Sequence, residues 1–269
     1  MRLKRKLYSF NPIKKLRDHL GKKSNEYKDR DEKILRSLDK EAKKNGISAV
    51  VVNDKYPGAS VVDTKTGKKA ILLNRQTTGI PHYAHEVGHS YYLIGEGKDK
   101  LGGKIHKADQ KIKNSYRNLV GLNKEDLTKE QKEKLNKRAK KTRGVVGSSV
   151  SGLSGVVAGY KAEEEKEKGN KKKANIIKAS SLAVPVLGHA PQIGSEIAAS
   201  KKGMEYLKKA GASKQQLKGS RKSMGYALGT YGVNLGKNLI INEGGQLVGK
   251  GAYKLTHKKK KDKGRDSWT

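Results

Sequence analysis

Two runs of 17 residues without a charged side chain, Gly144–Tyr160 and Ala179–Ser195, interrupt a chain in which 32% of residues are Asp, Glu, Lys or Arg. The first places small residues four apart, as Gly144/Ser148/Gly152 and Gly147/Ser151/Gly155/Gly159. This is the pattern by which helices approach closely in lipid. Both runs sit at the short limit for crossing a hydrocarbon core, which takes about 20 residues. Two readings stay open: a membrane-inserting hairpin, or a soluble Gly/Ser-rich helical hairpin or loop. Ser223–Gly251 repeats the theme at Gly225/Gly229, Gly232/Gly236 and Gly245/Gly249.

The rest of the chain cannot close one large conventional core. Of 269 residues only 33% are hydrophobic, with one Phe and one Trp, so the usual aromatic filling is missing. A small packed unit with basic extensions is expected. The 61 Lys and Arg against 26 Asp and Glu give a net charge of +35, which excludes an ordinary neutral cytosolic enzyme. Such a surface seeks polyanions, either an anionic membrane face or nucleic acid bound without sequence preference. No basic patch with interleaved aromatics points to dedicated nucleic-acid reading. With no Cys, disulfides, thiolate metal sites and Cys nucleophiles are all removed, and a transition metal has only His, Asp and Glu to bind it.

The N-terminus has the basic start of an export signal but no apolar stretch after it, so no cleaved signal peptide is expected. Leu3, Leu7, Phe10, Ile13, Leu16 and Leu20 fit either a basic amphipathic surface helix interrupted near Pro12 or a solvated basic arm. A helix is predicted from about Asp31 to Asn45, with Ile34, Leu35, Leu38 and Ala42 on one side and Gly46 closing it. Between Ile47 and Asn74 the β-branched runs predict two or three short strands with tight turns. The next helix begins after Thr78 or Gly79, has Pro81 in its first turn and ends at Gly95.

That last helix carries His85-Glu86-Val87-Gly88-His89, an HExxH motif. Residues four apart share a helix face, so His85 and His89 can reach one zinc ion while Glu86 stands beside its open position as general base. The flanking Ile80, Ala84, Val87 and Leu93 look like the buried side of the helix. His82, one turn earlier, is a surface residue or a replacement ligand. A catalytic zinc site needs a third protein ligand. The sequence after His89 lacks the Gly and third His of metzincins at their required offsets. Glu96, His106 and Asp109 are the nearby candidates.

A further candidate lies in Ser195-Glu196-Ile-Ala-Ala199-Ser, followed by a segment ending in Ala210-Gly211. Together with HExxH this resembles the HtpX/Oma and CAAX-prenyl-protease family of membrane gluzincins, whose second signature is Glu-x-x-Ala-Asp before a helix ending in Ala-Gly. The resemblance covers about residues 47–215, and only the two short motifs are specific. It implies that His85, His89 and Glu196 hold zinc, and that Glu86 takes the proton as water attacks a peptide carbonyl. It also implies that an extended peptide adds to the edge of the preceding strands. Tyr206, His189 and Arg221 are candidate oxyanion donors. Two departures stand out: Ser200 occupies the position of the family's Asp, and Gly58-Ala59 replaces its Asn-Ala pair.

The expected fold class is α+β, a small zincin-like core with Gly-rich helical additions. Its parts are a basic helical region at 1–45, a catalytic core at 46–96 plus 196–215, and a Lys-rich helical connector at 97–143. A Gly/Ser-rich hairpin at 144–195, a Gly-rich helical segment at 216–257 and a disordered basic tail at 258–269 complete it. The expected function is a membrane-associated zinc metallopeptidase acting on a peptide or protein substrate. The alternative is a basic non-enzymatic protein, membrane-active or nucleic-acid-associated, such as a mobile-element or virion component with a vestigial metal site.

Overall fold

A computed structural model describes residues 12–47, 49–52, 59–62, 69–73, 79–122 and 127–265. In order they form α1 (Pro12–Glu26), α2 (Glu32–Lys44), β1 (Ala49–Val52), β2 (Ala59–Val62), β3 (Lys69–Leu73), α3 (Ile80–Leu93), α4 (Leu101–Leu119), α5 (Lys129–Glu167), α6 (Lys171–Lys209) and α7 (Lys214–Arg265). The expected α+β zincin-like class is overturned, because the described chain is mostly helical. Helices of 39, 39 and 52 residues stand against strands of four, four and five. The positions 143/144, 195/196 and 257/258, where composition changes, all fall inside continuous helices, and the described part of the basic tail is helical to Arg265. The readings for residues 1–11 and for Gly58 lie outside the described residues.

Several glycines of the long helices sit at close helix contacts, while others, such as Gly144, Gly188, Gly232 and Gly236, meet open space. A helical Gly costs about 1 kcal/mol relative to Ala, so composition alone argues against such helices. In the unit comprising residues 112–190 and 234–269, a Cβ on Gly155 or Gly159 of α5 would collide with the carbonyls of Asn242 or Gln246 on α7, and one on Gly249 would collide with Val156. The two backbones touch, and the packing gained offsets the propensity lost. Pro185 interrupts the α6 ladder and leaves the Ser181 carbonyl without its helical N–H. Asn242, fully buried, places Nδ2 3.1 Å from that oxygen, 2.9 Å from Ser151 O and 2.8 Å from Ser154 Oγ. Among the described residues no helix is long and apolar enough to cross a membrane.

The other unit, residues 1–111 and 191–233, holds the HExxH segment on a small core. Asp31 caps α2 through Lys33 N and Ile34 N, and Gly46 follows its end at φ 82°, a left-handed conformation that only glycine adopts freely. Ile34, Leu38 and Ala42 of α2 pack with Ile80, Ala84 and Val87 of α3 and Leu207 of α6. The buried Asn45 side chain ties these helices together, with Nδ2 3.3 Å from Val87 O, 3.1 Å from Ser90 Oγ and 3.2 Å from Tyr206 Oη. The strands pair in the order β1-β3-β2, with β1 parallel and β2 antiparallel to β3, and α3 lies against β2 and β3.

Two glycines bring α3 and α6 together. A Cβ on Gly88 would collide with the Ala199 carbonyl, and one on Gly203 would lie 2.6 Å from Ala84 O. Gly88→Ala therefore forces the two helix backbones apart and is expected to destabilise the protein by about 3 kcal/mol, the upper end of overpacking costs. Gly21→Ala in α1, where a Cβ meets open space, is expected to stabilise by a few tenths to about 1 kcal/mol. Urea midpoints of the two variants check the opposite signs, and equal midpoints would refute the close-approach account.

Candidate metal centre

The α3 helix starts at N-cap Gly79 with Pro in its first turn, and Ile80, Ala84, Val87 and Tyr91 anchor its inner face. This leaves His85 and His89, one turn apart, directed along a second face with ring centroids 4.6 Å apart at 86°. Glu196 approaches that face from α6. His85 Nε2 lies 3.0 Å from Glu196 Oε2, His89 Nε2 lies 3.5 Å from the same oxygen, and the two Nε2 atoms are 3.1 Å apart. Three atoms with lone pairs thus form one small triangle. Ligands on a tetrahedral zinc, at about 2.0–2.1 Å from the metal, stand roughly 3.3 Å from one another. The donor set and its spacing fit zinc.

Hydrogen bonds behind the triangle set the imidazole tautomers. His106 Nδ1 is 2.8 Å from the Gly102 carbonyl, which can only accept, so Nδ1 carries the proton and Nε2 does not. His89 Nδ1, 2.8 Å from that Nε2, must then be the donor, and the lone pair of His89 Nε2 faces the triangle. Burial, followed by the neighbouring His89, pushes His106 down to about 4, which keeps it neutral and able to accept. Tyr92 stacks on its ring at 5.2 Å. Ser200, one turn beyond Glu196, sits 3.0 Å from His85 Nδ1 and accepts its N–H when Nε2 serves as ligand. A hydroxyl in that place can orient an imidazole that binds a metal, as a carboxylate does elsewhere.

Burial opposes the charge on Glu196, yet hydrogen bonds from His85 and then His89, made while their Nε2 atoms carry protons and no metal is bound, outweigh it and hold the carboxyl well below its usual range; a metal ion would take the place of those protons. Tyr231 of α7 donates to Glu196. Burial and then the negative charge of Glu196 raise its phenol far above the ordinary value, so it stays protonated beside Glu196 and Glu86. Tyr231 was missed in the sequence. It sits in a Gly-rich helix with no motif around it, and a lone Tyr carries no spacing signal.

The other candidates are distributed as follows. His82 is half-buried on α3, pushed down by burial and then by His85, and stands outside the triangle. Glu96 is exposed, while His106 and the buried Asp109 lie behind the ligands. Tyr206 is engaged with Asn45, Arg221 is exposed, and His189 lies in the other unit, 2.8 Å from Asn238. Replacing His106 with Ala removes the acceptor that orients His89. We expect zinc affinity to fall about 10–100-fold, the usual cost of losing such a partner. Competition against a chelating dye measures it, and an unchanged affinity would mean that His106 does not orient the ligand.

Compared with protein families, with curated proteins and with solved structures, the chain finds no match.

Proposed function

We propose that the protein is a zinc-dependent metallopeptidase, allied by its His85/His89/Glu196 donor set to the HtpX/Oma and CAAX-prenyl-protease group. The observation that carries this reading is the convergence of His85 Nε2, His89 Nε2 and Glu196 Oε2 from two helices, with both His Nδ1 atoms engaged behind them. When bound, zinc supplies Lewis acidity, polarising a carbonyl and bringing a water's pKa down toward 7. Glu86, next to His85 on the same helix, takes the proton from the attacking water and returns it to the leaving amine. Tyr231, protonated and close to Glu196 and Glu86, offers its O–H to the oxygen that gains negative charge. Edge strand β2, beside α3, pairs with the backbone of an extended peptide. Cleavage of an unfolded protein by the zinc-loaded chain, compared with Glu86→Gln, tests the reading.

A further inference from the structure

Along the uncharged middle of its helices, the unit of residues 112–190 and 234–269 has its polarity turned inside out. Its interior holds Asn242, Asn238, Ser151 and Ser181, all buried and hydrogen-bonded. Asn238 links Ser148 Oγ at 3.0 Å with His189 Nε2 at 2.8 Å, and Ser181 Oγ lies 3.0 Å from Asn242 Oδ1. Its outside carries the large aliphatic groups instead: Leu153, Val157, Ile176, Leu187, Leu247 and Val248 are each at least 56% exposed. Water rewards the opposite arrangement, with apolar groups in and amides out. Hydrocarbon rewards this one, because helices there associate through small residues and side-chain hydrogen bonds while their aliphatic side chains face the tails.

A groove of about 740 Å³ runs between α5 and α6 on this outer surface. Val150, Leu153, Val157 and Ile177 wall it, and Lys161 and Lys173 stand at one end. The two amines are 59% and 64% exposed and paired with Glu164 at 2.8 Å and Glu165 at 3.2 Å, weak surface pairs that a second anion can exchange. Exposed lysines flank the uncharged run of α5 on both sides: Lys134, Lys137 and Lys140 before it, Lys166 and Lys168 after it. Seventeen helical residues extend roughly 26 Å, less than the about 30 Å of a hydrocarbon core.

We propose that this unit docks into the face of an anionic phospholipid bilayer, with its outer aliphatic side chains among the acyl tails, one tail in the α5–α6 groove, and the lysine collars on the headgroup phosphates. The charge selects this occupant. A second copy of a chain at +35 is repelled, and a polyanion such as nucleic acid has no use for the aliphatic face. The inference is independent of the metal centre.

The test is flotation of the full chain with vesicles of phosphatidylcholine and phosphatidylglycerol, at low salt and at about 1 M salt, where charge attraction is screened beyond about 3 Å. The wild type is expected to stay with the vesicles at both. The triple variant Leu153→Gln, Val157→Gln, Leu187→Gln replaces only exposed side chains. Checked for unchanged helicity by circular dichroism, it is expected to bind at low salt and to be released about tenfold more at high salt. In a Trp268→Phe background, the Val157→Trp variant should lose fluorescence to lipids brominated on the acyl chains. Release of the wild type by salt to the same extent as the triple variant would overturn the proposal in favour of charge alone. A lipid-free oligomer that the triple variant dissociates would overturn it in favour of self-association, and undiminished fluorescence of the Val157→Trp variant would remove the tail from the groove.

Discussion

Purified without chelator, the protein is expected to carry close to one zinc per chain by elemental analysis, and Glu196→Ala less than about a tenth of that. The large effect follows from what Glu196 does at the site. It contributes the only carboxylate of the triangle, held ionised by the two imidazoles despite its burial. Without it, two neutral nitrogens 3.1 Å apart remain, and a divalent cation loses both a ligand and its one compensating charge. Glu205→Ala, which removes an exposed carboxylate paired with Lys202 on the same helix, is the control and should keep its zinc. Folded wild-type protein free of zinc would sink the metallopeptidase reading. Zinc kept equally by Glu196→Ala would send the third ligand elsewhere, to His82, Asp109 or Glu96.

Glu86→Gln is expected to bind zinc as the wild type does and to lose about a hundred- to ten-thousandfold in peptide hydrolysis. The amide preserves size and polarity but cannot accept a proton, and positioned general bases contribute about 10²–10⁴-fold. Glu86 is not part of the ligand triangle, so occupancy and rate should separate cleanly. The measurement pairs cleavage of an unfolded protein with zinc analysis of the same sample. Undiminished hydrolysis would show that Glu86 is not the base. No hydrolysis by zinc-loaded wild type would favour the basic, non-enzymatic alternative.

The local half of the site was legible in the chain. His85 and His89 announce themselves because four-residue spacing on a helix is itself a geometry, and Pro81, Gly79 and the apolar positions around them say where that helix starts and which side is buried. The α2 helix was readable for the same reason, from its Asp31 cap and its Ile34/Leu38/Ala42 stripe. The distant half was legible only as a resemblance. Nothing in the local pattern of Ser195–Ser200 says that Glu196 meets a histidine 111 positions earlier, or that Ser200 supports the same ring. His106 read as a ligand candidate because hydrogen-bond direction is invisible in a sequence, and Tyr231 carried no signal at all.

The fold class was misjudged in proportion: Gly-rich helices were expected as additions to a small α+β core, whereas they lie in continuous helices of 39, 39 and 52 residues that dominate the described chain. Each Gly costs helix propensity locally, while what compensates for it comes from another helix far along the chain, so the length of these helices could not be read from the stretches themselves. Gly155 and Gly159 meet α7 some 87 residues later, at Asn242 and Gln246, so only the assembled bundle shows why they are glycine. By itself the sequence determined the charge, the absence of thiol chemistry and the two-histidine face of α3, because these are set by composition and by spacing within a few turns. The tertiary structure alone decided that three donor atoms converge, which tautomers face them and which side of the Gly-rich helices is turned outward. Those depend on contacts between segments whose separation along the chain carries no period to read.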